Sequence, residues 1–177
     1  MHIRFLLDAP VLDRIEALAA PDRQRLDDAL NKRHFALFLT LEVVVDALAV
    51  SPTRPVDRIA RRAHWLLEVR ARYLRPRHEL TQPGARPLLP FLPEERARAL
   101  DAVLTRLAAG QIASFPEEPP TPSGTPEAAR LAYLPCVDVC VTDDAATHAL
   151  FPRVAGEGQR ILTFEQLMAE LRGPGAG

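Results

Sequence analysis

Residues 2–12, HIRFLLDAPVL, and residues 137–144, VDVCVTDD, decide the fold. In the first, Ile3, Phe5, Leu6 and Leu7 make a short apolar run closed by Asp8. In the second, Val137, Val139 and Val141 make another, closed by Asp143 and Asp144. Both runs have the length and residue types of a buried strand. An acid placed directly after such a strand lies at the carboxyl edge of a sheet, where open α/β sheets bind their ligands. A third run, Phe35–Leu37–Phe38–Leu39, leads to Glu42. Three segments thus deliver carboxylates to one edge. Clustered carboxylates repel one another unless a cation or a shared proton lies between them. A hard divalent cation, Mg²⁺ or Mn²⁺, is the natural occupant of an all-oxygen site.

Working outward, helices alternate with these strands. Val11, Leu12, Ile15 and Leu18 recur at helical spacing after Pro10, and Leu26, Ala29 and Leu30 do so after Pro21. Thr40 is placed to cap a helix over Leu41–Leu48. Val56–Tyr73 reads as an amphipathic helix with Ile59, Ala63, Leu66, Leu67 and Tyr73 inward, and core packing is the better role for its Trp65. A further strand is expected near Leu74–Leu80, weakened by Pro76. Glu94–Ala109 is another helix. The segment 115–126, FPEEPPTPSGTP, carries five prolines and reads as a loop. Glu127–Leu134 follows as a helix opened by Pro126. Val137–Val141 is a strand and Ala145–Leu150 a short helix, for which Asp143 is the expected cap. Arg160–Leu162 is a last strand and Phe164–Leu171 a closing helix. The pattern predicts an α/β fold, a three-layer α/β/α sandwich with a mainly parallel central sheet. Residues 1–172 form one domain in this reading, and 173–177 a disordered tail.

Composition narrows the function. The 177 residues carry 47% hydrophobic and 25% charged side chains, ordinary for a globular domain. Net charge is -1, so no global basic field marks a nucleic-acid binder. Arginines nevertheless crowd residues 54–77, and such a stretch attracts phosphate locally, although a solvated helix face explains it as well. The N-terminus MHIRFLLDAP lacks a secretory pattern. The longest apolar stretch, Phe35–Val50, is broken by Glu42 and Asp46, so no membrane span is expected. Cys136 and Cys140, four apart on a strand, would lie roughly 13 Å apart, beyond disulfide reach. They fit small buried hydrophobes in a reducing cytoplasm.

The segments FLLDAPVL, TLEVVVDAL and DVCVTDDAATHALF, followed by ILTFEQLMAEL, resemble a PIN domain. The family consists of small metal-dependent nucleases, many of them toxins of toxin–antitoxin pairs. Its pattern places an Asp after the first strand, matched by Asp8, and a Glu in the helix after the second, matched by Glu42. A third acid, usually Asp, opens the helix before the fourth strand. Glu127 occupies that place, eleven residues before Asp138. The fourth acid follows a Val-Thr pair after one intervening residue, matched by Asp144. The resemblance covers both ends of the chain and little of its middle.

That resemblance implies a ribonuclease that hydrolyses RNA phosphodiester bonds, with Asp8, Glu42, Glu127 and Asp144 as catalytic metal ligands for Mg²⁺ or Mn²⁺. Asp8 and Asp144, each ending a strand, are the expected direct ligands. Thr142 would orient a carboxylate or water, or else be a strand residue with a satisfied hydroxyl. Arg61, Arg62 and Arg70 would contact RNA phosphates. RNA and an antitoxin protein are the implied partners, and a homodimer is compatible with this reading. Each acid also has a structural role open to it, as a helix cap or a first-turn acid favoured by the helix dipole. His148, one turn after Asp144, is expected at the surface.

Other acid-edged α/β families fit less well. A phosphoacceptor receiver needs a lysine after its last strands, and none follows Lys32. A haloacid-dehalogenase-type phosphatase needs an Asp two residues after its nucleophile, where Pro10 stands. No Gly-rich phosphate loop is present. The remaining rival is a PIN-like scaffold without metal that binds RNA or protein.

Overall fold

The structure, a computed structural model, describes residues 3–32, 35–52, 54–80, 90–116 and 131–173. Its elements in chain order are β1 (Ile3–Leu7), α1 (Ala9–Glu16), α2 (Ala20–Lys32), β2 (Phe35–Thr40), α3 (Leu41–Leu48), α4 (Val56–Glu68), β3 (Arg72–Leu74), α5 (Arg77–Leu80), α6 (Glu94–Ala108), β4 (Val139–Val141), α7 (Ala145–Leu150), β5 (Arg160–Leu162) and α8 (Phe164–Arg172). The strands form one all-parallel sheet in the order β3-β2-β1-β4-β5, flanked by these eight helices, as an α/β/α sandwich requires. The chain divides into two compact units, Met1–Phe38 with Gly124–Gly177, and Leu39–Ser123. The helix expected from Glu127, most of the Pro-rich loop and the tail after Gly173 lie outside the described residues.

In the first unit β1 sits between β2 and β4. Ile3–Leu6 pair with Phe35–Phe38 on one side, and Phe5–Leu7 with Val139–Val141 on the other. β5 pairs with β4 from Val139↔Arg160 to Val141↔Leu162. Parallel strands are covered on both faces, which explains why these runs are apolar without alternation. Phe5, Leu7, Phe35 and Leu37 share one face with Leu26 and Ala29 of α2 and Leu167 of α8. The rings of Phe5 and Phe35 meet edge-on with centroids 5.0 Å apart. Asp138 pairs with Arg4 at the other end of the strands (2.7 Å).

The order of connections sets a switch point in the sheet. From β1 the chain returns to the sheet on one side as β2, whereas from β4 it continues on the other side as β5. The switch between these directions falls between β1 and β4. The carboxyl edge at such a switch point is where doubly wound sheets generally place ligands.

The second unit is built on α4, which packs against α3 and α6. Ile59, Ala63, Trp65 and Leu66 are buried, as are Leu100, Leu104 and Leu107 of α6. Two expectations are corrected here. The Arg-rich helix ends at Glu68, short of Tyr73, because Arg70 turns into the left-handed region at φ 53 and a right-handed helix cannot run through it. The strand near Leu74–Leu80 is instead β3 at Arg72–Leu74, and Pro76 begins the turn of α5, its carbonyl accepting the Glu79 N–H at 3.0 Å. Proline has no N–H to give a sheet ladder.

Candidate functional site at the carboxyl edge of β1 and β4

Leu7 and Val141 are register partners and the last residues of their strands. Asp8 and Thr142 come next, side by side. Asp8 leaves the strand in extended conformation and caps α1, its Oδ1 accepting the Val11 N–H at 3.1 Å. Local sequence dictates this: a carboxylate at the cap position and Pro10 in the first turn, where no intrahelical donor is needed. Asp8 Oδ2 accepts the Thr142 hydroxyl at 2.5 Å. Asp8 is 6% exposed and Thr142 fully buried. Of the two roles open to Thr142, the geometry gives a hydroxyl that fixes a carboxylate.

The same hydroxyl accepts the Asp144 N–H at 3.2 Å. Thr142 therefore ties the ends of β1 and β4 together and sets the start of α7. Asp144 caps that helix, with Oδ2 accepting the Thr147 N–H at 2.7 Å and the Thr147 hydroxyl at 2.5 Å. This corrects the expectation that Asp143 is the cap. Asp143 turns the other way, accepting the Phe164 N–H at 2.9 Å and pairing with Arg14 at 2.6 Å. Arg14 in turn lies over the Phe164 ring, 4.7 Å from its centroid. Burial pulls the Asp143 carboxyl upward, but the Phe164 N–H and Arg14 together hold it below the usual carboxylate range.

His148 is half-buried, not a free surface ring, and its Nε2 lies 2.8 Å from the Thr142 carbonyl. A carbonyl only accepts, so Nε2 carries the hydrogen. Sequence spacing alone gave His148 no partner, because the contact joins a ring on the helix to a backbone atom six residues earlier.

The remaining candidates lie elsewhere. Glu42 belongs to the second unit, in the first turn of α3, which Thr40 caps through the Val43 N–H (3.2 Å). Its Oε1 accepts the Arg77 N–H at 2.7 Å. Glu127 lies outside the described residues. Arg61 is exposed on α4 and paired with Asp57 at 2.8 Å. Arg70 is exposed beyond the helix end. Arg62 is corrected: only 2% exposed, it donates from Nη1 to the Ala47 carbonyl at 3.0 Å and serves the interior of its unit. Its position on α4 follows the apolar side with Ile59 and Leu66, a placement its charge concealed.

The donor chemistry of Asp8 and Asp144 suits a hard cation. Both carboxylates also serve as helix caps, and capping and ligation draw on the same lone pairs. Among the described residues no group of three or more His, Cys, Asp or Glu side chains is arranged to hold a metal ion. Nor is any described helix long and apolar enough to cross a membrane. No protein-family model matches this sequence, and comparison with curated proteins yields no significant match.

Proposed function

We propose that this chain is a PIN-like, metal-dependent ribonuclease whose site lies at the carboxyl edge of β1 and β4. The observation that carries this reading is the Asp8–Thr142–Asp144 link. One buried hydroxyl at the switch point of the sheet holds the Asp8 carboxylate and the backbone N–H of Asp144, more than 130 residues away in sequence. Structural capping accounts for each acid singly; it gives no reason for both to lie at the edge where α/β sheets bind ligands. When bound there, a divalent cation supplies Lewis-acid activation of a phosphodiester and of water. The chain's own part is positional: Thr142 and the Val11 N–H fix both oxygens of Asp8, and Thr147 fixes Asp144. In the family pattern Glu42 and Glu127 are the other two acids, and exposed Arg61 and Arg70 suit an RNA backbone.

Cleavage of single-stranded RNA by purified protein tests the reading. It is expected with Mg²⁺ or Mn²⁺ and abolished by EDTA. Cleavage undiminished in EDTA, with contaminating nucleases excluded, overturns it. A neighbouring gene for a small DNA-binding protein would support the toxin assignment. The capping roles of Asp8 and Asp144 favour a second reading, a PIN-like module that binds RNA or protein without metal. RNA binding with no Mn²⁺ uptake selects that alternative.

A further inference from the structure

The β4–β5 ladder ends in an exchange of partners. Arg160 donates its N–H to the Asp138 carbonyl at 2.9 Å, and Thr142 donates to the Leu162 carbonyl at 3.0 Å. The alternation of a parallel ladder makes the Phe164 N–H the next donor, aimed at the Thr142 carbonyl. That bond is not made. The Phe164 N–H goes to Asp143 Oδ1 at 2.9 Å, and the Thr142 carbonyl receives His148 Nε2 at 2.8 Å. Thr142 is fully buried, so its carbonyl needs a donor from the protein.

We propose that His148 is a positioning residue for the carboxyl-edge site: by holding the Thr142 carbonyl in place of the ladder, it fixes the peptide whose hydroxyl and following residues orient Asp8 and Asp144. The chain of contacts is short. His148 also donates its backbone N–H to the Asp144 carbonyl at 3.1 Å, as the first turn of α7. Ring and backbone of one residue thus clamp both ends of the 142–144 turn. Within that turn the Thr142 hydroxyl reaches Asp8, and the Asp144 N–H reaches the hydroxyl. Releasing the carbonyl frees the 142–143 peptide to rotate, and the Asp144 N–H that reaches the hydroxyl moves with the backbone that follows. Asp143 completes the exchange by accepting the Phe164 N–H that the ladder would otherwise direct at Thr142.

Two variants separate positioning from bulk stability. His148→Gln introduces an amide nitrogen with nearly the reach of Nε2. His148→Asn is polar and soluble, but its amide stops short of the carbonyl. In His148→Asn the Asp144 amide hydrogen, followed by NMR exchange, is expected to exchange at least about tenfold faster, and Mn²⁺ affinity by calorimetry to fall about tenfold, the usual scale for losing a group that orients a ligand. His148→Gln restores both. The metal arm rests on the ribonuclease reading, whereas the exchange arm does not. If wild type takes up no Mn²⁺, that reading fails and the exchange rates alone decide the role of His148. Unchanged exchange in His148→Asn, or His148→Gln behaving like His148→Asn, overturns the proposal, even if both variants melt at lower temperature.

Discussion

The Thr142 hydroxyl donates to Asp8 Oδ2 at 2.5 Å while accepting the Asp144 N–H at 3.2 Å, so one buried side chain holds the ends of two neighbouring strands. Thr142→Val keeps the shape and removes both bonds. Stability is expected to fall by about 1–3 kcal/mol, the range for stranding buried polar groups. Thr142→Ser keeps the hydroxyl and should recover most of that loss. Urea denaturation of the three proteins decides it. A neutral Thr142→Val would show that the hydroxyl does not hold the edge.

Asp144 is both a cap and a proposed ligand, and two substitutions separate these roles. Asn caps helices nearly as well as Asp, so Asp144→Asn should leave stability within about 0.5 kcal/mol of wild type. Asp144→Ala removes the acceptor for Thr147 and should cost about 1 kcal/mol. Loss of charge, common to both, should abolish RNA cleavage. Activity surviving in Asp144→Asn, with normal folding, would reduce this acid to its cap.

Much of this was legible in the sequence. The apolar runs at Ile3–Leu7 and Val139–Val141 carry the strand signal because parallel strands are buried on both sides. Asp8, Thr40 and Pro10 mark helix starts through chemistry confined to one turn. What sequence did not reveal depends on contacts at long separation. Asp143 and Asp144 are adjacent and chemically identical. Only the placement of Arg14 and the Phe164 N–H, more than 20 residues away on either side, assigns the first to α8 and leaves the second to cap α7. The charge of Arg62 suggested a surface role, although its spacing with Ile59 and Leu66 put it inside.

Acid should weaken the first unit through Asp138. Arg4 grips this carboxylate from Nε at 3.1 Å, from Nη2 at 2.7 Å and from its own backbone N–H at 2.8 Å. The hydrogen bonds from Arg4 outweigh burial and hold the Asp138 carboxyl below the usual range. Its folded pKa therefore lies below the unfolded one, near 3.9. The stabilisation is complete above that value and is lost as pH falls through the folded pKa. The urea midpoint should drop as the pH falls below about 4, and Asp138→Asn should flatten that acid limb. An unaltered limb in Asp138→Asn would exclude this pair as its source.

The arginines divide by burial. Neutralising exposed Arg61 should weaken RNA binding and lower the salt slope by about 0.7 per contact with a single strand. Arg70→Gly removes a charge and also relieves the left-handed backbone at φ 53, so it should stabilise the protein by roughly 1 kcal/mol while binding RNA more weakly. Arg62→Ala should instead destabilise the second unit by about 1–3 kcal/mol, because the Ala47 carbonyl loses a buried donor. Filter binding across a salt series and thermal melts give both readouts. A salt slope unmoved by Arg61→Ala and Arg70→Gly would make this surface a solvated face.

Glu42 and Glu127 test the metal reading proposed for Asp8 and Asp144. Glu42 Oε1 accepts the Arg77 N–H at 2.7 Å, a bond that the amide oxygen of Glu42→Gln can also accept. That substitution should therefore preserve folding while removing a charge. Glu127 stands where the nucleases of the proposed family usually carry Asp, and a Glu side chain is one methylene longer. If both acids ligate, Glu42→Gln and Glu127→Gln should each lower Mn²⁺ affinity by about tenfold, a loss of roughly 1.4 kcal/mol, and Glu127→Asp should retain it. Calorimetric titration with Mn²⁺ alone measures this without RNA. Affinities identical to wild type in both Gln variants would remove these residues from the site. Asp8 and Asp144 would then be left as caps that share a hydroxyl, and the metal-free binding module would become the better account.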